Sequence, residues 1–231
     1  MRQNHFSLLL LTGLCITFGG CGRTTLTPTV TARGTAGAED TADLDIPNVT
    51  LKAGETLLVS SNDEHRDAIV TWNGASMHED VAAHEGGCSC YTKIFSLYSA
   101  GGGTGDIVAS HDSSGDLSIN AYSVTNLAPS ALDKTKASGG DGTNPASGAT
   151  PMTTKANELL WGTIGYAGNT AMSGVWSDGF TSGKQFANSG GIGGNEDGYK
   201  TVSSTGAFAA AKTGVQKDSW NAVIATYAIA R

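Results

Sequence analysis

The residues best suited to chemistry in this 231-residue chain lie between His78 and Cys90. This segment holds two histidines, His78 and His84, two cysteines, Cys88 and Cys90, and three carboxylates. In an extended segment both sulfurs would share one face, so they could bind one Zn²⁺ or Cu⁺ with His84 and His78. The spacing matches no standard zinc motif, and the alternative is a solvated loop with a local disulfide or two thiols. We therefore assign no cofactor.

Three aromatic residues form a second candidate site. Tyr166, Trp176 and Phe180 lie in the glycine-rich stretch after Ile164. The apolar faces of such rings stack on sugar rings, which predicts a carbohydrate site. The alternative is that the three side chains form a small satellite core.

No residue is assigned a catalytic role. The chain has five histidines and many serines, but it lacks the Gly-x-Ser-x-Gly motif that exposes a nucleophile at a sharp turn. His111 and Asp112 stand beside a turn, where a plain polar loop is the simpler interpretation. The sequence therefore predicts a protein that is not an enzyme.

The elements that must position these residues are strands. The chain contains 32 glycines together with many Ser, Thr, Asn and Asp residues, all of which favour turns or have low helix propensity. Short apolar runs recur between turn signals from Ile46 onward, as in all-β domains. We expect an all-β fold, a two-sheet antiparallel β-sandwich of the jelly-roll or immunoglobulin-like type.

Two local patterns predict how the first strands connect. Two short runs rich in apolar residues, 49–51 and 57–59, are separated by Ala53-Gly54-Glu55, which predicts a hairpin or a closely spaced pair of strands. Asn73 and Gly74 both tolerate positive φ, so they predict a type I′ turn.

The second half of the domain contains one long break and one strong strand. Residues 137–151 are rich in Gly, Ser and Pro and predict a long connection. Residues 220–229 are almost continuously apolar, which predicts a central strand with Trp220 and either Val223 or Ile224 in the core. About ten strands are expected in all.

The first residues resemble a secretory signal. Arg2 and His5 precede an apolar run that extends to Phe18, and the following Gly19-Gly20-Cys21 resembles the lipobox of bacterial lipoproteins, which implies a lipid on Cys21. The alternative is an ordinary cleaved signal that leaves Cys21 as a free thiol. We expect a signal peptide over residues 1–20, a flexible tether over residues 21–43 and the sandwich domain over residues 44–231.

The charge of the chain limits its partners. Its formal net charge is −7, from 21 acidic and 14 basic residues. A surface of this sign repels phosphate backbones. Nucleic acid is therefore not an expected partner.

Five short motifs in fixed order resemble a known family. They are residues 71–74 (TWNG), 121–124 (AYSV), 153–160 (TTKANELL), 204–206 (STG) and 220–227 (WNAVIATY). Together they resemble a widespread, poorly characterised family of bacterial and phage-associated extracellular β-sandwich domains. The resemblance spans residues 46–229 and implies fold and location, but no activity.

These observations together favour a non-catalytic cell-envelope lipoprotein. We expect it to be exported, anchored at the outer membrane or cell surface through its N-terminal lipid, and to present a recognition, adhesion or structural module. A glycan or another surface protein is the expected partner. One alternative is a carbohydrate-binding module, and the other is a metal-dependent protein or enzyme that uses the segment from His78 to Cys90.

Overall fold

The computed structural model describes residues 26–64, 68–84, 90–168, 173–187 and 193–231. The predicted signal peptide, Cys21 and Cys88 lie outside these ranges. Within them the chain is all-β, without a helix, and every strand pairing is antiparallel. The predicted all-β, antiparallel class is therefore confirmed.

The strands in chain order are β1 (Val30–Leu51), β2 (Thr56–Asp63), β3 (Ile69–Trp72), β4 (Ala75–Ser76), β5 (His78–Ala83), β6 (Tyr91–Leu97), β7 (Gly103–Val124), β8 (Leu127–Gly142), β9 (Glu158–Tyr166), β10 (Val175–Trp176), β11 (Thr181–Phe186), β12 (Asn195–Val202), β13 (Lys212–Thr213) and β14 (Asp218–Ile229). Strands β1 to β7 form the first sheet. The second sheet has the order β11-β12-β9-β14-β8, and β10 pairs with β13 in a short ribbon.

Strand β7 organises the first sheet. One of its edges pairs with β1, and the other pairs with β2 and then with β3. Beyond β2 the sheet continues through β6 to β5. The sheet buries its own apolar cluster, which includes Leu57, Trp72, Ile107 and Leu117.

The opposite face of the first sheet packs on the second sheet. Leu58 and Tyr122 from the first sheet share an apolar cluster with Trp161, Val223 and Tyr227 from the second. Strand β14 pairs with β9 on one edge and β8 on the other. The prediction of a central terminal strand is therefore confirmed.

A third cluster covers the far face of the second sheet. Leu160 and Ile224 point away from the first sheet and pack against Trp176, Ala210 and Val215. Because both faces of β9 and β14 are covered, these strands are almost continuously buried. Trp220, expected in the core, is only partly buried at the edge of this cluster.

The predicted tether over residues 21–43 is wrong for residues 30–43, which belong to β1. Val30 pairs with Val124, and the pairing continues with irregularities past Ala38. Small residues in this stretch reflect close packing, since a Cβ added to Gly37 would lie 2.2 Å from the Phe186 ring. The backbone ladder to β7 holds the segment without large apolar side chains.

Three local predictions have different outcomes. The strands ending at Leu51 and beginning at Thr56 are neighbours in the chain, but each pairs with β7, so no hairpin joins them. The Asn73-Gly74 turn between β3 and β4 is confirmed, with φ values of 49° and 77°. The break expected over residues 137–151 begins only after Gly142, because β8 runs that far beside β14.

The two sheets share a proximal and a distal end. At the proximal end Val124 pairs with Val30 and Thr56, and the amide of Ala230 donates to the Asn126 carbonyl. At the distal end Asp63 pairs with Tyr91. The N-terminal segment therefore enters the domain at the proximal end.

Candidate functional site

Asn62 joins the two sheets at the distal end. Its side-chain amide lies 3.2 Å from the Tyr166 carbonyl and 3.4 Å from the Gly194 carbonyl, and it donates to both. Its own carbonyl oxygen accepts a 2.9 Å hydrogen bond from the Thr92 hydroxyl group. The side chain is buried, so one amide ties together the chain segments next to four connections, residues 64–68, 84–90, 167–174 and 187–194.

Asn221 makes a similar link to Cys90. The Asn221 amide donates to the Cys90 carbonyl at 2.9 Å. Cys90 is buried and disulfide-bonded, and its partner lies outside the described residues. In this form the Cys90 sulfur is not a thiolate, which is the form that binds metal ions.

The predicted ligands His78 and His84 stand at opposite ends of β5. His78 pairs with Ser96, whereas His84 follows Ala83, the partner of Thr92. Because a strand rises about 3.3 Å per residue, six residues separate them by roughly 20 Å. The prediction that both bind one ion is therefore wrong, and Cys88 lies outside the described residues.

His78 is held by a buried carboxylate. Its Nδ1 atom lies 2.9 Å from Asp80 Oδ1, and the side chains of His78 and Asp80 are 69% and 0% exposed. The same carboxylate accepts hydrogen bonds from Ser96 at 2.9 Å and from Tyr227 at 2.6 Å. Asp80 therefore serves chiefly as a bridge from β5 to β6 and to the second sheet.

His84 forms one wall of a cleft at the distal end. Its imidazole stacks on the Tyr91 ring, with 4.0 Å between centroids and 10° between planes. The cleft has a volume of about 390 Å³. It is lined by Glu79, Ala82, Ala83, His84, Tyr91 and Lys93. We call it the His84–Tyr91 cleft.

Lys93 supplies the buried charge of this cleft. Its ammonium nitrogen lies 3.5 Å from Asp63 Oδ1, and both side chains are almost fully buried. It donates to the Ala68 carbonyl at 3.4 Å and lies 5.5 Å from the Tyr91 ring centroid. The positive charge is therefore balanced by a carboxylate and also faces an aromatic ring.

The three aromatic residues of the predicted carbohydrate site are buried. The structure brings Trp176 and Phe180 together, with ring centroids 5.7 Å apart, and Tyr166 belongs to the same apolar cluster. The exposed fractions are 3% for Tyr166 and 8% for both Trp176 and Phe180. The prediction of a carbohydrate site on these three rings is therefore wrong, because rings packed behind the second sheet leave no face for a sugar.

A buried ion pair lies beneath these rings. The Trp176 indole donates to Glu196 Oε1 at 2.8 Å, and Lys212 donates to Glu196 Oε2. Since Glu196 and Lys212 are both buried, removing either partner would leave an unpaired charge in the interior. The pair joins β12 to the β10–β13 ribbon.

Asp197 is buried between the sheets. Its carboxylate accepts hydrogen bonds from Ser60 at 3.0 Å and Thr163 at 2.7 Å. Burial raises its pKa to about 7, although the hydrogen bonds from Thr163, Ser60 and Tyr122 act in the opposite direction. The group links β12 to β2 and β9.

Two further carboxyl groups face each other near the proximal end. Burial raises the pKa of Glu158 to about 7, and the neighbouring Asp133 adds to the rise. Burial alone would also raise the pKa of Asp133, but hydrogen bonds, first those from Thr154, lower it to about 2. Glu158 therefore retains a proton at a pH where Asp133 is ionised.

The distal end of the first sheet is acidic. Burial and the charge of Glu64 raise the pKa of Asp116, a hydrogen bond with the Asp40 backbone lowers it, and the charges of Glu39 and Asp40 add smaller increases. The amide of Asp116 lies 3.3 Å from a Glu64 carboxylate oxygen. We call Glu39, Asp40, Glu64 and Asp116 the acidic bend.

Sequence reasoning missed the polar interior. Ser60, Asn62 and Asn120 stand at alternate positions in line with Leu58 and Tyr122, and they point toward the second sheet. Their alternation was a usable signal, because a buried polar side chain must find a hydrogen-bonding partner. The partners on β9 and β12 are distant in sequence and gave no local signal.

Nowhere in the described part of the chain do three or more His, Cys, Asp or Glu side chains group closely enough to bind a metal ion. Across the same residues there is no helix long and apolar enough to cross a bilayer. Comparison with known proteins finds no match to a family model, a curated protein or a solved structure.

Proposed function

We propose that this chain is a non-catalytic cell-envelope lipoprotein whose two sheets form a β-sandwich that presents a recognition surface. The cluster shared by Leu58, Trp161 and Val223 supports the sandwich, since it joins two antiparallel sheets across one interior. The five ordered motifs support an extracellular domain of the bacterial and phage-associated kind.

The separation of the two ends of the domain carries this proposal. The segment that leads from Cys21 enters beside Val124 and Asn126, where Asn126 donates to the Thr27 carbonyl at 2.8 Å. The connections next to Asp63, Cys90, and Tyr166 leave from the other end. A lipid on Cys21 would therefore hold the proximal end toward the membrane and the distal end away from it.

The disulfide of Cys90 bears on this assignment. The chain has four cysteines, so Cys90 pairs with Cys15, Cys21 or Cys88. Acylation requires a free thiol at Cys21, and the predicted signal peptide removes Cys15. The proposal therefore requires a Cys88–Cys90 bond, which non-reducing peptide mapping of the mature protein tests.

Membrane fractionation tests the anchor. The intact mass of protein extracted from membranes is expected to correspond to a chain that begins at an acylated Cys21. Cys21→Ser is expected to release the protein into the soluble fraction, whereas Cys15→Ser, the matched control, leaves it on the membrane. Unchanged membrane association of the Cys21→Ser variant would reject the proposal.

A further inference from the structure

We infer that the His84–Tyr91 cleft is a binding site for a neutral saccharide. This inference rests on the proposed function and specifies what the distal end recognises. It places the sugar site on β5 and β6 of the first sheet, away from the three aromatic residues behind the second sheet.

The stacked pair gives the cleft an aromatic wall. His84 is exposed and Tyr91 is half-buried, so the imidazole covers one face of Tyr91 and keeps its own outer face accessible. Because the two rings are stacked face to face with planes only 10° apart, the flat surface offered to a ligand is the outer face of the imidazole. The C–H face of a sugar ring stacks on such a surface.

Glu79 gives the cleft a hydrogen-bond acceptor. Its side chain is exposed and lines the same volume as His84 and Tyr91. Five positions along β5 place Glu79 roughly 16 Å from His84, so a ligand that contacts both is an oligosaccharide. A carboxylate accepts hydrogen bonds from two hydroxyl groups at once. At about 390 Å³, the cleft lies within the range of about 300–1,000 Å³ typical of small-molecule sites.

Lys93 makes a cationic ligand unfavourable. Its ammonium group already lies 5.5 Å from the Tyr91 centroid, where an ammonium ligand would make its own cation–π contact. With His84 stacked on the Tyr91 ring and Lys93 over it, the ring left to a ligand is the His84 imidazole, which is not among the rings that bind cations well. The aromatic wall is therefore better suited to an uncharged ligand.

The surrounding carboxylates make an anionic ligand unfavourable. Asp63 balances the Lys93 charge at 3.5 Å, and Glu79 adds a negative charge to the cleft. The acidic bend lies at the same end of the first sheet, where Glu64 follows Asp63. A hydroxyl-rich ligand without charge fits the aromatic wall and the exposed carboxylate together.

The inference is tested by applying purified full-length protein to an array of neutral, acidic and choline-bearing oligosaccharides. Calorimetric titration then measures the affinity for the neutral sugar that is retained. His84→Ala removes the stacking face, and Glu79→Gln removes the charged acceptor. Each is expected to weaken binding about tenfold or more. Tyr91→Leu is a second test of the wall that keeps an apolar side chain in the same place.

Two control variants keep the result specific. His78→Ala removes an exposed histidine that contacts Asp80 and does not line the cleft. Asp45→Asn removes an exposed carboxylate on β1. Both variants are expected to bind like the parent. Retention of no neutral sugar overturns the inference, as does binding that His84→Ala and Glu79→Gln leave unchanged. Capture of only acidic or choline-bearing ligands also overturns it. Because the acylated mass of Cys21 is measured on the same preparation, loss of the sugar site and loss of the anchor are told apart.

Discussion

The hydroxyl group of Tyr227, on the central strand of the second sheet, donates a 2.6 Å hydrogen bond to Asp80 on β5 of the first sheet. Asp80 has no exposed side-chain surface, and burial, followed by the Asp80 charge, raises the pKa of Tyr227 well above its ordinary value. The contact holds the edge strand of one sheet to the middle of the other. It also supports β5, which carries Glu79 and leads into His84.

Tyr227→Phe tests this contact. Loss of a buried hydrogen bond to a charged acceptor is expected to lower the free energy of unfolding by about 1.5–3 kcal/mol, as measured by urea denaturation. Tyr199→Phe is the matched control, because Tyr199 is half-buried and stacks on Trp161 with centroids 5.5 Å apart. Equal stability of the two variants would show that the contact to Asp80 contributes little.

The buried Asp197 predicts a loss of stability as the pH rises. Burial raises its pKa from 3.8 to about 7, so the folded protein binds this proton more tightly than the unfolded chain. The resulting stabilisation is complete below about pH 4 and is lost as the pH rises through 7. Because each tenfold difference in proton affinity between the two states corresponds to about 1.4 kcal/mol, this loss lowers the free energy of unfolding by up to about 4 kcal/mol.

Urea denaturation between pH 4 and pH 8 measures this effect. Asp197→Asn keeps one oxygen that accepts from Ser60 or Thr163 but does not titrate, so it is expected to show a flatter profile than the parent. Glu158, whose pKa is also raised to about 7, adds to the pH dependence of the free energy of unfolding in the same range. The Glu158→Gln variant measures that contribution. A profile that Asp197→Asn does not flatten contradicts the prediction.

The aromatic cluster behind the second sheet is expected to support stability without binding ligand. Trp176→Ala removes a buried indole that contacts Phe180 and donates to Glu196, and such truncations cost about 3–5 kcal/mol. The measurement is the free energy of unfolding. Sugar binding by the folded fraction of the variant is expected to match the parent, and its specific loss would restore the sequence-based assignment of Trp176.

Some features of the fold were predictable because they follow from local chemistry. The Asn73-Gly74 turn depends on two residues that accept positive φ, and the central position of β14 follows from its apolar run. Both signals are contained in a few neighbouring residues. The class and the strand-rich character of the chain could therefore be predicted without its tertiary contacts.

Other features depended on distant residues. Trp176 lies in a glycine-rich loop that predicts exposure, but Glu196 and Lys212 give it a buried polar partner. Tyr91 and His84 lie seven positions apart across a connection, and only the pairing of β5 with β6 brings their rings together. The cleft could therefore not be predicted from residue types alone, although the sequence does mark His78 and His84 as candidate site residues.

The place of residues 30–43 in β1 gives a final prediction about the extent of the domain. A chain that begins at Leu44 lacks the half of β1 that pairs with residues 117–124 of β7. One edge of β7 therefore loses its backbone partner over these residues. The truncation also exposes the apolar cluster that Ala36 and Ala38 cover. We expect this truncation to abolish cooperative urea unfolding, whereas a chain that begins at Thr27 unfolds like the parent. Gly37→Val is expected to destabilise the full chain as well, because its side chain would collide with the Phe186 ring. Cooperative unfolding of the shorter chain at the parent's urea midpoint would instead mean that the segment is a tether, and that β7 does not need its partner to hold the first sheet together.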